Sequence, residues 1–219
     1  MGQLALNVYP LLRPGLAMTY EKMQDKSQSL RTIWVNSTMT KELWWLAAHI
    51  ERSDSIFLLN SLTWAPHQAD LLLYSDTCPA GLGFWSSTLR TGHKHWFCMP
   101  PTQDIFYLEA TAVLSTLLHA TNTMHPPPRR ITIHCDNTNT VDMFNTLHTT
   151  TACNPVLIAA VDVCLLHRVQ LKVVYLAGAA NDVADTLSHG HDDVACSLVP
   201  GLHISHFEPP CLPLGLFRC

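Results

Sequence analysis

Four carboxylates in the 219-residue chain stand where a fold could gather them: Asp76 ends an apolar run, Glu109 lies within an apolar helical pattern, Asp136 ends a second run, and Asp185 sits in a short pattern after residue 180. Residues at the ends of neighbouring strands in a mixed α/β sheet converge on one edge, and a helix crossing that edge adds further side chains. Four acids brought together at neutral pH repel one another, and the repulsion is relieved by shared protons or by divalent cations. Glu109 is the most telling of them. It is flanked by Leu108 and Ala112, where an unpaired carboxylate is costly unless it faces a metal or a cleft. The chemistry on offer is capture of hard cations, two Mg²⁺ ions or Mn²⁺ in their place.

The elements that must position these acids are legible in the spacing. Leu71–Asp76, Ala80–Trp85 and His93–Met99 read as three consecutive antiparallel strands, punctuated by Pro79 and Thr91-Gly92 and stopped by Pro100-Pro101. Leu108, Ala112, Leu114, Leu117 and Leu118 predict a helix over 104–119. Ile131–Asp136 is a fourth strand, Asn137 and Thr138 offer caps to the next helix, 154–167 carries another, Leu171–Leu176 is a fifth strand, and Asn181–Ser188 is a last short helix. The order β-β-β-α-β-α-α-β-α predicts an α/β domain over 67–190 with a five-stranded mixed sheet, three antiparallel strands then two parallel, flanked by helices. Residues 1–66 read as an N-terminal helical connector. There the Ser37/Thr38/Thr40 cluster offers N-cap oxygens, Glu42, Leu43, Ala47 and Ile50 keep helical spacing, and Trp44 and Trp45 widen the apolar face. Residues 191–219, with four prolines and no period, read as a linker or tail.

Composition narrows the class. With 47% apolar and 14% charged residues the chain can bury a real core, which argues against a disordered or collagen-like polypeptide. The longest apolar candidate, Pro155–Leu166, is interrupted by Asp162, so no membrane span is expected. The N-terminal Met1-Gly2-Gln3-Leu4-Ala5-Leu6 has no basic region or cleavage signal, and eight cysteines without a C-x-x-C pair read as reduced thiols. Both features point to a cytoplasmic or nuclear protein, not a secreted one. His203-x-x-His206 between Cys196 and Cys211 is too loosely spaced for structural zinc, and His93-x-His95 lacks a third ligand. The net charge of −4 concentrates in 67–190, with six basic against nine acidic residues. Phosphate-holding cations are few there: Arg90, Lys94, Lys172 and the pair Arg129-Arg130, which is the best candidate patch.

Leu71 to His189 resembles the ribonuclease H domain of retrotransposon reverse transcriptases, in particular those of gypsy-type and DIRS-type elements. The resemblance rests on Tyr74-Ser75-Asp76-Thr77-Cys78-Pro79-Ala80-Gly81-Leu82-Gly83-Phe84-Trp85, on Glu109-Ala110, on His134-Cys135-Asp136-Asn137, and most specifically on the Gly178…Asn181…Ala184-Asp185…Leu187-Ser188 pattern. Leu6–Pro14 is similar to the segment joining polymerase to ribonuclease H in such elements. No Tyr-x-Asp-Asp polymerase signature occurs, so the resemblance implies a piece of a longer polyprotein that includes a reverse transcriptase polymerase domain. It further implies a ribonuclease H-like fold and an endonuclease that hydrolyses the RNA strand of RNA·DNA hybrids with two metal ions. Asp76 would bridge both ions, Asp185 would hold the one that activates water, and Glu109 and Asp136 the one at the leaving oxygen. Asn137 is placed to meet a 2′-hydroxyl, or simply to cap its helix, and Arg129 and Arg130 to hold phosphates.

Two positions depart from the family pattern: Ala177 replaces a frequent Pro, and Tyr175 a frequent His, which leaves His189 as the nearby histidine. Two other functional classes stay open. An integrase-like nuclease of the same fold places a Glu after its second Asp, whereas Glu109 precedes Asp136; a decayed copy acting as a scaffold would fit the low Lys/Arg count.

Overall fold

The computed structural model describes residues 10–24, 32–52, 64–97 and 104–210. The expected end of the third strand at Met99, the Pro100-Pro101 stop, Cys211 and the first four residues of Leu6–Pro14 lie outside the described residues. Among the described residues six strands form one sheet: β1 (Leu71–Cys78), β2 (Gly81–Ser86), β3 (Thr91–Trp96), β4 (Arg130–Cys135), β5 (Gln170–Tyr175) and β6 (His203–His206). Their order is β5-β4-β1-β2-β3-β6, with β1/β2 and β2/β3 antiparallel and β4/β1, β5/β4 and β6/β3 parallel. The helices are α1 (Ala17–Gln24), α2 (Ser37–Arg52), α3 (Ile105–Thr123), α4 (Thr138–Thr146), α5 (Asn154–His167), α6 (Asp182–Ser188) and α7 (Asp192–Leu198).

The expected α/β class and order hold from β1 to α6, but the sheet has six strands, not five. The sixth comes from the stretch read as linker or tail. His-Ile-Ser-His has no apolar run to mark it as a strand; the open edge of β3 recruits it, pairing Thr91 with His203 and Lys94 with His206. With it α7 folds back, and Ala195 and Leu202 join Val183 and Leu187 in a small second core beside Trp85, Val199 and Ile204.

Side-chain alternation assigns the two sheet faces. Leu71, Leu73, Ile131, Ile133 and Cys135 face the main core with α3 and α5. Helix α3 is apolar almost all round and is correspondingly buried. Ala110, Val113, Leu114 and Leu117 are fully enclosed, and each Leu or Val so buried contributes about 1.5–3 kcal/mol. The hydroxyls of Thr111, Ser115, Thr116 and Thr121 lie inside by donating to carbonyls four residues back. Glu109 is the one carboxylate on this helix.

The connector docks on α5. The Glu42 carboxylate is buried, accepting from the Met18 amide at 2.8 Å and from Asn154 Nδ2 at 2.7 Å, while Trp45 Nε1 donates to Asp162 Oδ1 at 2.7 Å. Trp44 instead stays exposed. The N-cap oxygen that binds a helical amide at α2 belongs to Asn36, which accepts from Met39 N at 2.9 Å; Ser37, Thr38 and Thr40 begin the helix itself. None of the described helices is long and apolar enough to cross a membrane.

Candidate metal centre

Parallel pairing of β1 with β4 sets Tyr74 against His134, and continuing that register two residues brings Asp76 beside Asp136 on strands about 4.8 Å apart. Both acids point to the face opposite the main core. There the antiparallel partner of Asp76 is Gly83, and this glycine decides what can cover it. A Cβ on Gly83 would lie 2.5 Å from Ser188 N and 2.7 Å from Ala184 O, both backbone atoms. Without one, α6 settles directly on β2. Asn181 Nδ2 pins the start of that helix by donating to Ser75 O at 3.0 Å, and the Ser188 hydroxyl at its end donates to Asp76 Oδ2 at 2.7 Å. Asp185, between them, is thereby carried to the same sheet end with its side chain 56% exposed.

Glu109 arrives from the other layer, on α3. Its Oε2 accepts from the Cys135 thiol at 3.6 Å, and ligand atoms of Glu109, Cys135 and Asp136 lie within 4.8 Å of one another. Among the described residues this is the one trio of His, Cys, Asp or Glu side chains so arranged, and it could hold a metal ion. Gly178 closes the other side of Asp136: a Cβ there would stand 3.1 Å from Asp136 Oδ2.

Burial and neighbouring charge act on three of the four acids. Burial pushes the Asp76 carboxyl up to about 7, against the opposing pull of the Ser188 hydroxyl, with Asp136 and Asp185 adding repulsion. Burial, then the charges of Asp76 and Asp136, pushes Glu109 up to about 9. Asp136 is raised by burial and by Asp185. The Cys135 thiol is driven far above its ordinary value by burial and by Glu109, so it is a neutral S–H at physiological pH. The cluster therefore suits a hard cation in its donor chemistry: carboxylate oxygens dominate, their charge is uncompensated by any Lys or Arg contact among the described residues, and a cation would relieve it.

The other expected site residues fare differently. Asn137 is the N-cap of α4, its Oδ1 accepting from Thr140 N at 3.1 Å, which leaves only its amide group for a ligand. Arg129 and Arg130 are not brought to the acids. They stand at the opposite end of β4, and six residues at about 3.3 Å each put Arg130 roughly 20 Å from Asp136. His189 Nε2 is 3.7 Å from Asp185 Oδ1, one helical turn on. His203 and His206 lie on β6 with no third metal-ligating side chain among the described residues. Ser188 and Cys135 were not singled out as site residues from sequence. Both stand in segments that carry the family resemblance, but without a role of their own there; only the fold turns them onto Asp76 and Glu109.

No protein-family model matches the chain, and no curated protein matches it.

Proposed function

We propose that the chain is a ribonuclease H-like endonuclease, part of a reverse transcriptase of retrotransposon origin, that hydrolyses the RNA strand of RNA·DNA hybrids. The observation that carries this reading is the convergence of Asp76, Glu109, Asp136 and Asp185 from three layers onto one sheet end, where burial first and the charges of neighbouring acids second raise Asp76, Glu109 and Asp136. Carboxylates so buried and so close together form a site that bound cations would relieve. When bound, a pair of Mg²⁺ or Mn²⁺ ions supplies an acidified water and stabilises the departing 3′ oxygen.

The chain's own residues divide the remaining work. Asp76 is central, coupled to Asp136 and Asp185 and also to Glu109, and would be shared by both cations. Glu109 and Asp136 would hold one of them and the more exposed Asp185 the other. The Ser188 hydroxyl holds the Asp76 carboxylate in one rotamer, so its free oxygen has a defined aim. The amide of Asn137, beside Asp136, is available to a 2′-hydroxyl, the group that separates RNA from DNA.

The test is hydrolysis of an end-labelled hybrid in Mg²⁺ by the chain and by Asp136→Asn. Cleavage of the RNA strand by the chain alone is expected, with the variant at least a hundredfold slower. Equal product from both would remove the assigned site, and cleavage of duplex DNA instead would favour an integrase-like activity.

A further inference from the structure

At the pole of the sheet away from the acids, the turn before β4 and the end of α5 enclose an open cleft of about 780 Å³. Three arginines wall it, Arg129, Arg130 and Arg168, with His167 and Gln170 beside them and Asp70 as the single carboxylate. That carboxylate is already committed: Asp70 Oδ2 accepts from the backbone amides of both Arg129 and Arg130, at 3.0 and 2.9 Å. It fixes the turn at the backbone and leaves the Arg129 side chain exposed. Arg130 is held further, its Nε donating to Gln170 Oε1 at 3.3 Å and its guanidinium lying 5.8 Å from the buried Trp64 ring. Arg168 is the left-handed residue that ends α5, so its direction is set by the helix terminus. Among the described residues neither Arg129 nor Arg168 is in an ion pair, and both are exposed.

A protein of net charge −4 thus places three guanidinium groups against the single carboxylate of Asp70 at one pole, a net positive cleft, and its acid quartet at the other. Guanidinium groups on a rigid turn match phosphate oxygens in charge and in fork geometry. The spacing between the poles matters equally. Roughly 20 Å corresponds to about six nucleotides along a strand, so a strand presented to the acids reaches the cleft only if it extends that far.

We propose that the cleft walled by Arg129, Arg130 and Arg168 is a second nucleic-acid contact, gripping backbone phosphates about six nucleotides from the bond presented to the acids. The inference takes its choice of polyanion from the nuclease reading. It gives the chain a grip that is independent of cations and selects long duplexes over short ones.

The experiment measures binding of two fluorescein-labelled RNA·DNA hybrids, one of about 4 base pairs, cross-linked between the strands so that it stays paired, and one of about 24 base pairs, by anisotropy across a KCl series. The full chain is compared with the double variant Arg129→Gln/Arg168→Gln, which leaves the packed Arg130 in place. At about 0.1 M salt the variant is expected to bind the long hybrid roughly ten- to hundredfold more weakly, with a salt slope shallower by about 2, and the short hybrid as before. An unchanged affinity for the long hybrid overturns the proposal, as does an equal loss on both lengths. A poly-glutamate peptide displacing the long hybrid from the chain but not from the double variant also overturns it, making the cleft a seat for an acidic protein. Asp136→Asn should show the same length-dependent loss when the two arginines are replaced. If the chain cuts neither hybrid yet that loss persists, the nuclease reading fails and the cleft stands.

Discussion

The hydroxyl of Ser188 donates to Asp76 Oδ2 at 2.7 Å across 112 residues of sequence, tying the end of the last helix over the centre to the acid of the first strand. It is the one side-chain hydrogen bond given to Asp76 among the described residues, and it opposes the rise that burial imposes on that carboxyl. Ser188→Ala leaves a buried carboxylate without its donor. The loss should be about 1.5–3 kcal/mol at pH 8, where Asp76 is ionised, and smaller at pH 5, where it is protonated. Urea unfolding at the two pH values measures the difference; equal losses would show that the bond does not favour the charged form.

Glu109 sets the pH dependence of the cation-free protein. Its carboxyl is raised from 4.5 to about 9 on folding, and that of Asp76 from 3.8 to about 7. A raised acid contributes stability fully below its unfolded value, and that stability is lost as pH climbs through the folded value. Without divalent cations the melting temperature should therefore fall between about pH 5 and pH 9. Glu109→Gln should flatten the descent and stabilise the cation-free chain by about 1–3 kcal/mol at pH 7.5. Calorimetry in EDTA gives the answer, and a melting temperature that climbs with pH would contradict the assignment.

Divalent cations should act in the opposite sense. Mg²⁺ at about ten times its dissociation constant adds about 1.4 kcal/mol to the folded state, with more gained at pH 8 than at pH 6 because protons no longer compete. In Glu109→Gln or Asp136→Asn the gain should disappear. Thermal shifts that are equal in the parent and both variants would mean that Mg²⁺ binds elsewhere.

Gly83 allows the last helix to reach the centre. Ala in its place puts a Cβ inside backbone atoms of Ala184, Leu187 and Ser188, which cannot yield as a side-chain tip does. The expected cost is about 1–3 kcal/mol of stability, with a larger proportional loss of hydrolysis because Asp185 is displaced from its partners. Val161→Ala, which truncates a buried side chain of α5 in the main core, is the control for a loss of stability alone.

Thiol accessibility checks the packing. Cys78, Cys135, Cys153 and Cys164 are free and buried, whereas Cys196 is free and exposed. Iodoacetamide on the native chain should label Cys196 rapidly and the four buried thiols only after denaturant is added. Rapid native labelling of Cys135 in particular would mean that the sheet end beside Glu109 is open.

The local order of elements was legible because apolar spacing in this chain is regular. Helix 154–167 matches its expected bounds, and Asn137 announced its own capping role. The sixth strand was not legible, since four residues reading His-Ile-Ser-His carry no periodicity and pair only because β3 leaves an edge beside them. The N-cap of α2 went to Asn36 for a similar reason: several neighbouring side chains offered an oxygen, and the entry angle of the chain chose among them.

By itself the sequence determined the α/β alternation, the four acids and their attachment to strand ends and helices, because these depend on residue type and short-range spacing. Tertiary structure alone decided that β4 lies beside β1 in the register that aligns Asp76 with Asp136, that Gly83 admits α6 so that Ser188 and Asp185 arrive, and that Arg129 and Arg130 face the opposite pole. Those outcomes hinge on strand register and on layer contacts between residues a hundred positions apart. Such distances are settled by packing, which no local pattern encodes.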